Sequence, residues 1–220
     1  MNTLDTPQVT GLLGELFRAS EITKTELSRQ LAALHGAERQ RLFDDASHQE
    51  LYSYARTAHL AISPATGEIL YLLARLANAR TIVEFGTSFG VSTIYLAAAV
   101  KDGGGGMVYG TESEPSKARE ARANLASAGL ASFCQILEGD AVTTLPANLP
   151  AVVDFLFLDG AKPLYATIFR MIEPHLRVGA IVVADNADGS PEYLEVLRRD
   201  GRYHSARVGR DVELSIKLES

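Results

Sequence analysis

Tryptophan is missing from this 220-residue chain, and cysteine occurs once, at Cys134. A single thiol excludes an internal disulfide framework and fits a reducing, cytoplasmic compartment. Long apolar runs are missing as well; none approaches the roughly 20 residues of a membrane span. The opening MNTLDTPQVTG has neither a charged start nor an apolar centre, so it does not read as a secretory signal. An excess of positive charge is also lacking. The net charge is −6, which argues against nucleic acid as the main partner, because that requires a basic field. His35, His48, His59, His175 and His204 are scattered. With one cysteine, they offer no zinc-ligand spacing. No internal repeat or interdomain linker stands out.

What is present is an ordinary globular composition, 46% apolar and 22% charged. The length suits one domain with a small appendage and buries a substantial core. The expected division is a helical extension over residues 1–60 and a main domain over 61–220. Thr23 and Glu26 match a capping box before LSRQLAAL. Ser63-Pro64 matches an N-cap and first-turn proline for ATGEILYLLARLA.

From Arg80 onward, apolar runs alternate with helical patterns. The runs are TIVEF (81–85), MVYGTE (107–112), SFCQILE (132–138), VVDFLFLD (152–159) and GAIVVAD (179–185). Helical patterns fill 91–100, 115–129 and 164–176, with a short one at 143–149. Continuous apolar strands separated by helices predict parallel strands covered on both faces, an α/β doubly wound fold. EYLEVLRR (192–199) is helical, and YHSARV and VELSIKL then alternate about Gly209-Arg210-Asp211, predicting an antiparallel pair at one edge. The run GGGG (103–106) reads as a turn.

Acids recur where these strands end: Glu84 inside the first, Glu112, Asp140, Asp159 and Asp185. Ligands of open parallel sheets bind beyond the carboxyl ends of the strands. Strands are about 4.8 Å apart, so these acids converge on one crevice. Asp after a strand can equally cap the next helix. Glu84, within an apolar strand, is no cap, and burying it unpaired is costly. Gly86 and Gly90 follow as G-x-x-x-G rather than the dinucleotide G-x-G-x-x-G, and are expected to let a ligand near the backbone. A carboxylate beside that turn repels a pyrophosphate but accepts from an amine. Glu112 is placed for ribose hydroxyls and Asp140 for an adenine amine. A nucleoside bearing an amino acid and a positive charge fits: S-adenosyl-L-methionine.

FLFLDGAK (155–162) and IVVADNA (181–187) form a second constellation. Asp159, Asp185 and the Asn186 amide oxygen make a hard-oxygen site for Mg²⁺, or another divalent cation such as Ca²⁺ or Mn²⁺. Lys162 is three residues past Asp159. A cation nearby disfavours its ammonium form and suits it to act as general base.

These motifs, VEFGTSFGVSTIYLA, YGTE, GDA, FLFLDGAK and IVVADN, resemble the cation-dependent class I O-methyltransferases, the catechol and caffeoyl-CoA enzymes. The likeness covers roughly residues 60–218. It implies a Rossmann-like seven-stranded sheet with a reversed last strand. It also implies that Glu84, Gly86, Thr87, Ser92 and Ile62 hold the methionine part of the cofactor, Glu112 the ribose, and Asp140 and Ala141 the adenine. Asp159, Asp185 and Asn186 would bind the metal, with Asp159 also facing the cofactor amine and taking part in catalysis beside Lys162. Asn186 and Glu213 would meet the substrate. Relatives often carry D-A-D-K where this chain has DGAK, and the small pair is expected to widen the site. The expected acceptor is a small catechol-like phenol, and the resemblance implies a homodimer. The N-terminal helices would cover the cofactor or pair with a second subunit. A nicotinamide oxidoreductase, a methyltransferase for RNA or protein, and a non-catalytic interaction protein remain alternatives.

Overall fold

The structure, a computed structural model, describes residues 2–36, 59–199 and 201–219. The helical reading of 37–58, with His48, lies outside these residues.

One sheet contains β1 (Thr81–Phe85), β2 (Met107–Glu112), β3 (Cys134–Glu138), β4 (Val153–Leu158), β5 (Leu176–Ala184), β6 (Tyr203–Val208) and β7 (Val212–Lys217). Their order is β3-β2-β1-β4-β5-β7-β6. The first five run parallel, while β7 runs against both β5 and β6. This is the doubly wound Rossmann-like sheet expected from the sequence, with its reversed strand beside β5 and β6 at the edge. Chain order reverses between β1 and β4, the switch point where such sheets open a crevice.

The continuous apolar strands follow from two covered faces. Successive side chains on a strand point to opposite sides. Ile82, Phe155 and Phe157 enter one core, with helices α1 (Pro7–Ala33), α2 (Pro64–Leu76), α3 (Val91–Asp102) and α4 (Pro115–Ser127). Val83, Phe85, Leu156 and Leu158 enter the other, against α5 (Ala141–Thr144), α6 (Tyr165–Ile172) and α7 (Pro191–Arg198). Each such side chain, fully buried, contributes about 1.5–3 kcal/mol. Val9, Leu13 and Leu16 tie α1 into the first core. Asp102 secures the N-terminus, accepting from Thr3 N (2.9 Å) and from Tyr71 (2.9 Å). No helix among the described residues is long and apolar enough to cross a membrane.

Three local expectations need correction. Thr23 and Glu26 do not cap a helix, because α1 runs unbroken past them from Pro7, whose missing N–H costs nothing in a first turn. Thr23 Oγ1 instead donates to Ala19 O (2.9 Å) and accepts from His59 N (2.9 Å). The helix expected to reach residue 176 stops at Ile172. Pro174 cannot donate within a helix, so 173–175 form a 3-10 turn and β5 starts at Leu176. Gly160 does not simply widen the crevice: a Cβ there would meet the Phe85 ring at 2.5 Å. Its small size lets β1 and β4 close together. Ser63 does cap α2, accepting from Thr66 N at 3.0 Å, and Gly104 to Gly106 form the expected loop with positive φ.

Candidate active site

Strand register sets the site. Phe85 pairs with Leu158, and Leu158 with Ala184. The ladder extends one residue further: Asp159 N donates to Phe85 O (2.8 Å) and Asp185 N to Leu158 O (2.9 Å). Asp159 and Asp185 thus leave adjacent strands side by side, and their carboxyls lie close enough to share a hydrogen bond. Burial pushes Asp159 up to about 7; the Lys162 ammonium opposes the rise and Asp185 adds to it. Asp185 is raised too, first by burial, with Lys162 opposing and Asp211 reinforcing. Two crowded acids that resist ionisation call for a proton or a cation between them.

Lys162 stands at the start of a 3-10 turn, Lys162–Leu164. Its Nζ donates to Asp159 Oδ1 (3.1 Å) and to the Tyr165 hydroxyl (2.8 Å). Tyr165, fully buried, is within donor reach of Leu158 O (2.8 Å) and Asp185 O (2.9 Å). One phenol therefore braces both strand ends and the lysine. Asn186, in the left-handed region at φ 50°, turns its amide Nδ2 to Asp211 Oδ2 at 2.8 Å. This leaves the Asn186 carbonyl oxygen for another partner.

These groups line a hollow of about 440 Å³, with Asp159, Gly160, Lys162, Asp185, Asn186 and Asp211 from the strand ends and loops, and Lys24, Leu60, Ala61, Ile62, Ser63 and Thr66 from the N-terminal part of the chain. Ile62 and Asp159 also line a smaller adjoining hollow with Gly86, Thr87, Phe89 and Ser92. So Ile62, Gly86, Thr87, Ser92, Asp159, Lys162, Asp185 and Asn186, expected to work together, do meet.

The remaining expected residues stand elsewhere. Glu84 is beneath the turn, fully buried, and its Oε2 accepts from Thr87 (2.9 Å) and Thr93 (2.5 Å). Burial raises its pKa, and hydroxyl donors from Ser92, Thr93 and Thr87 oppose the rise. It braces the turn from below. Glu112 joins the same turn from the flank, accepting from Ser88 N (2.8 Å) and Glu114 N (2.8 Å). Asp140 is exposed and caps α5 through Val142 N (3.1 Å), with Ala141 buried behind it. Glu213 is buried and ion-paired with Arg198 (2.6 Å), and Asp211 stands on the hollow instead.

Gly86 serves the chain itself. At φ 98° it lies so near β4 that a Cβ would meet Gly160 N at 2.6 Å and Asp159 O at 2.7 Å. The ligand approach expected there is secondary to this packing.

The sequence reading missed Lys24, His59, Phe89, Tyr165 and Asp211. Only Tyr165 left a signal, three residues after Lys162. His59 stacks on Phe89, ring centroids 3.6 Å apart and planes nearly parallel.

The two hollows suit the expected ligands. Two buried polar atoms without a partner, His59 Nδ1 and Ser88 Oγ, belong to residues that line the smaller hollow beside the glycine turn. That is where a polar cofactor would supply partners. Two carboxylates and a free amide oxygen form the oxygen set a hard divalent cation takes.

Comparison with known proteins finds similar methyltransferases. A methyltransferase-domain family matches residues 83–187. The catechol O-methyltransferase of Niastella koreensis is 37% identical over 130 residues, 58% of this chain and 58% of that protein. That of Mycobacterium tuberculosis is 36% identical over 132 residues, 60% of this chain and 59% of that protein. The chain therefore matches less than two thirds of the length of either relative. Among solved structures, the O-methyltransferase TomG from Streptomyces achromogenes, in complex with SAM, is similar with a TM-score of 0.68 and 28% identity. That match covers 93% of this chain and 99% of TomG. Cofactor-bound Rv0187 from MTB gives 0.69 and 27%, covering 80% and 92%. Sheet order, turn and strand-end acids agree with these likenesses: the chain is similar to class I S-adenosylmethionine O-methyltransferases.

Proposed function

We propose that this protein transfers a methyl group from S-adenosyl-L-methionine to a hydroxyl oxygen of a catechol-like phenol, with a divalent cation at Asp159, Asp185 and Asn186. The observation that carries this reading is the pairing of Asp159 with Asp185 at the ends of β4 and β5, next to the switch point, with Lys162 bonded to Asp159 at 3.1 Å. The names of the two catechol O-methyltransferases support the acceptor class.

Bound S-adenosylmethionine supplies an electrophilic methyl on a sulfonium. A divalent cation supplies Lewis acidity, lowering the pKa of a hydroxyl and favouring acceptors with two adjacent oxygens. Gly86, Thr87, Ser92 and Ile62 wall the cofactor side. Asp159, on the boundary of both hollows, is positioned to orient donor and acceptor. Lys162 takes the phenol proton. A neutral amine has two N–H donors, and here Asp159 and Tyr165 take both. Its lone pair is then left for the substrate. With the cofactor bound, transfer would form the oxygen–carbon bond as the carbon–sulfur bond breaks, and the sulfonium would leave as a neutral thioether. Holding the reactants in line supplies about 7–11 kcal/mol of barrier lowering.

The test is a screen of catechols, flavonoids and hydroxycinnamates with methyl-labelled cofactor, run with Mg²⁺ and with EDTA. Label should enter catechols, and only when the cation is present. Calorimetry with S-adenosylhomocysteine and NAD separates the oxidoreductase alternative. Glu84 under the turn disfavours a pyrophosphate, so NAD binding without S-adenosylhomocysteine binding would refute the proposal.

A further inference from the structure

We infer that Lys24 makes this hollow selective for acceptors that carry a carboxylate, such as dihydroxybenzoates, over neutral catechols. The inference rests on the methyltransferase reading above and deepens it. Lys24 belongs to α1, outside the matched residues 83–187. One face of α1 nevertheless grips the segment that walls both hollows. Ser20 Oγ donates to His59 O (2.6 Å), Thr23 Oγ1 accepts from His59 N (2.9 Å), and Lys24 Nζ donates to Ala61 O (2.6 Å). Positions 20, 23 and 24 share a helix face, so this docking sets the Lys24 ammonium on the wall of the larger hollow.

The chemistry of that ammonium points to an anion. A carbonyl takes one of its three N–H donors and none of its charge. Lys162, the other lysine of this hollow, is already bonded to Asp159 and Tyr165. Size agrees: about 440 Å³ lies within the roughly 300–1,000 Å³ of ligand pockets, enough for a substituted ring. A carboxylate on the acceptor would complete a charge-assisted bond that a bare catechol cannot make.

The measurement is kcat/KM for 3,4-dihydroxybenzoate and for 4-methylcatechol, in the parent, Lys24→Met and Lys24→Arg. Met keeps the apolar stem, and Arg keeps the charge. The parent ratio should favour the acid. It should fall about tenfold or more in Lys24→Met, the size of a lost charged hydrogen bond, and recover in Lys24→Arg. Raised salt should also shrink the parent ratio. An unchanged ratio in Lys24→Met overturns the proposal. That includes equal losses on both substrates, which would mean Lys24 only secures Ala61. A parent that methylates 4-methylcatechol at least as well as the acid also overturns it. A parent that methylates neither refutes the underlying reading as well.

Discussion

Asn186 gives its amide N–H to Asp211 at 2.8 Å, across 25 residues of sequence. The bond fixes which end of the amide faces the crevice. Ala187 N reinforces it by donating to Asp211 O at 2.9 Å. Partners that orient a metal ligand typically change affinity by about 10–100-fold. Asp211→Ala should weaken Mn²⁺ binding by that order, and Asp211→Asn, which keeps an acceptor, should restore most of it. Titration calorimetry reads both. Parental affinity in Asp211→Ala would show that Asn186 needs no such support.

Asp159 ties cation binding to pH. Its folded pKa, about 7, is above the ordinary 3.8. The folded protein therefore holds a proton that the unfolded chain has released. The resulting loss of stability builds as pH rises from about 4 to 7 and is complete above that. A divalent cation takes the proton's place. The rise in Tm on adding Mg²⁺ should thus be larger at pH 8 than at pH 6. A rise that is equal, or larger at pH 6, would break the link between this carboxyl and the cation.

Glu84 makes a separate demand. Its raised pKa means the buried carboxyl opposes folding more strongly as pH rises. Glu84→Gln keeps an acceptor for Thr87 and Thr93 without the charge, so its stability relative to the parent should increase as pH rises above the ordinary value of 4.5, from pH 5 to pH 8. Glu84→Ala leaves those hydroxyls unsatisfied, at about 1–3 kcal/mol each. Urea denaturation at the two pH values distinguishes them. If Glu84→Gln loses ground with rising pH, the carboxylate is ionised and stabilising.

Gly86 and Gly90 both have positive φ, at 98° and 86°, but only Gly86 faces backbone within 3 Å. An added Cβ at Gly90 meets Ala121 Cβ at 3.4 Å, an ordinary contact. Gly90→Ala should cost about 1–2 kcal/mol for the left-handed conformation. Gly86→Ala should cost clearly more and lower cofactor affinity, because the ends of β1 and β4 must move apart. Equal losses, measured by denaturation and by S-adenosylhomocysteine titration, would contradict this.

Much of the architecture was legible before any coordinates. Parallel strands buried on both faces must be apolar along their whole length, and TIVEF, VVDFLFLD and GAIVVAD announce that. Acids at strand ends were readable for the same reason, since register in a parallel sheet brings consecutive strand ends together. Asp159 and Asp185 needed nothing further to meet. Boundaries governed by a competing local rule were less legible, as Pro174 and the unbroken α1 show.

By itself, the sequence determined the sheet, the glycine turn, the paired acids and the lysine three residues on, because each depends on short-range periodicity or spacing. The tertiary structure decided what those groups rest on. Glu84 became a strut rather than a wall because Thr87 and Thr93 reach it first. Asp211 replaced Glu213 at the crevice because the β6–β7 hairpin packs its turn against Asn186. Lys24 reached the hollow because α1 grips residues 59–61. Such contacts join residues tens of positions apart, and no local pattern encodes which distant side chain arrives.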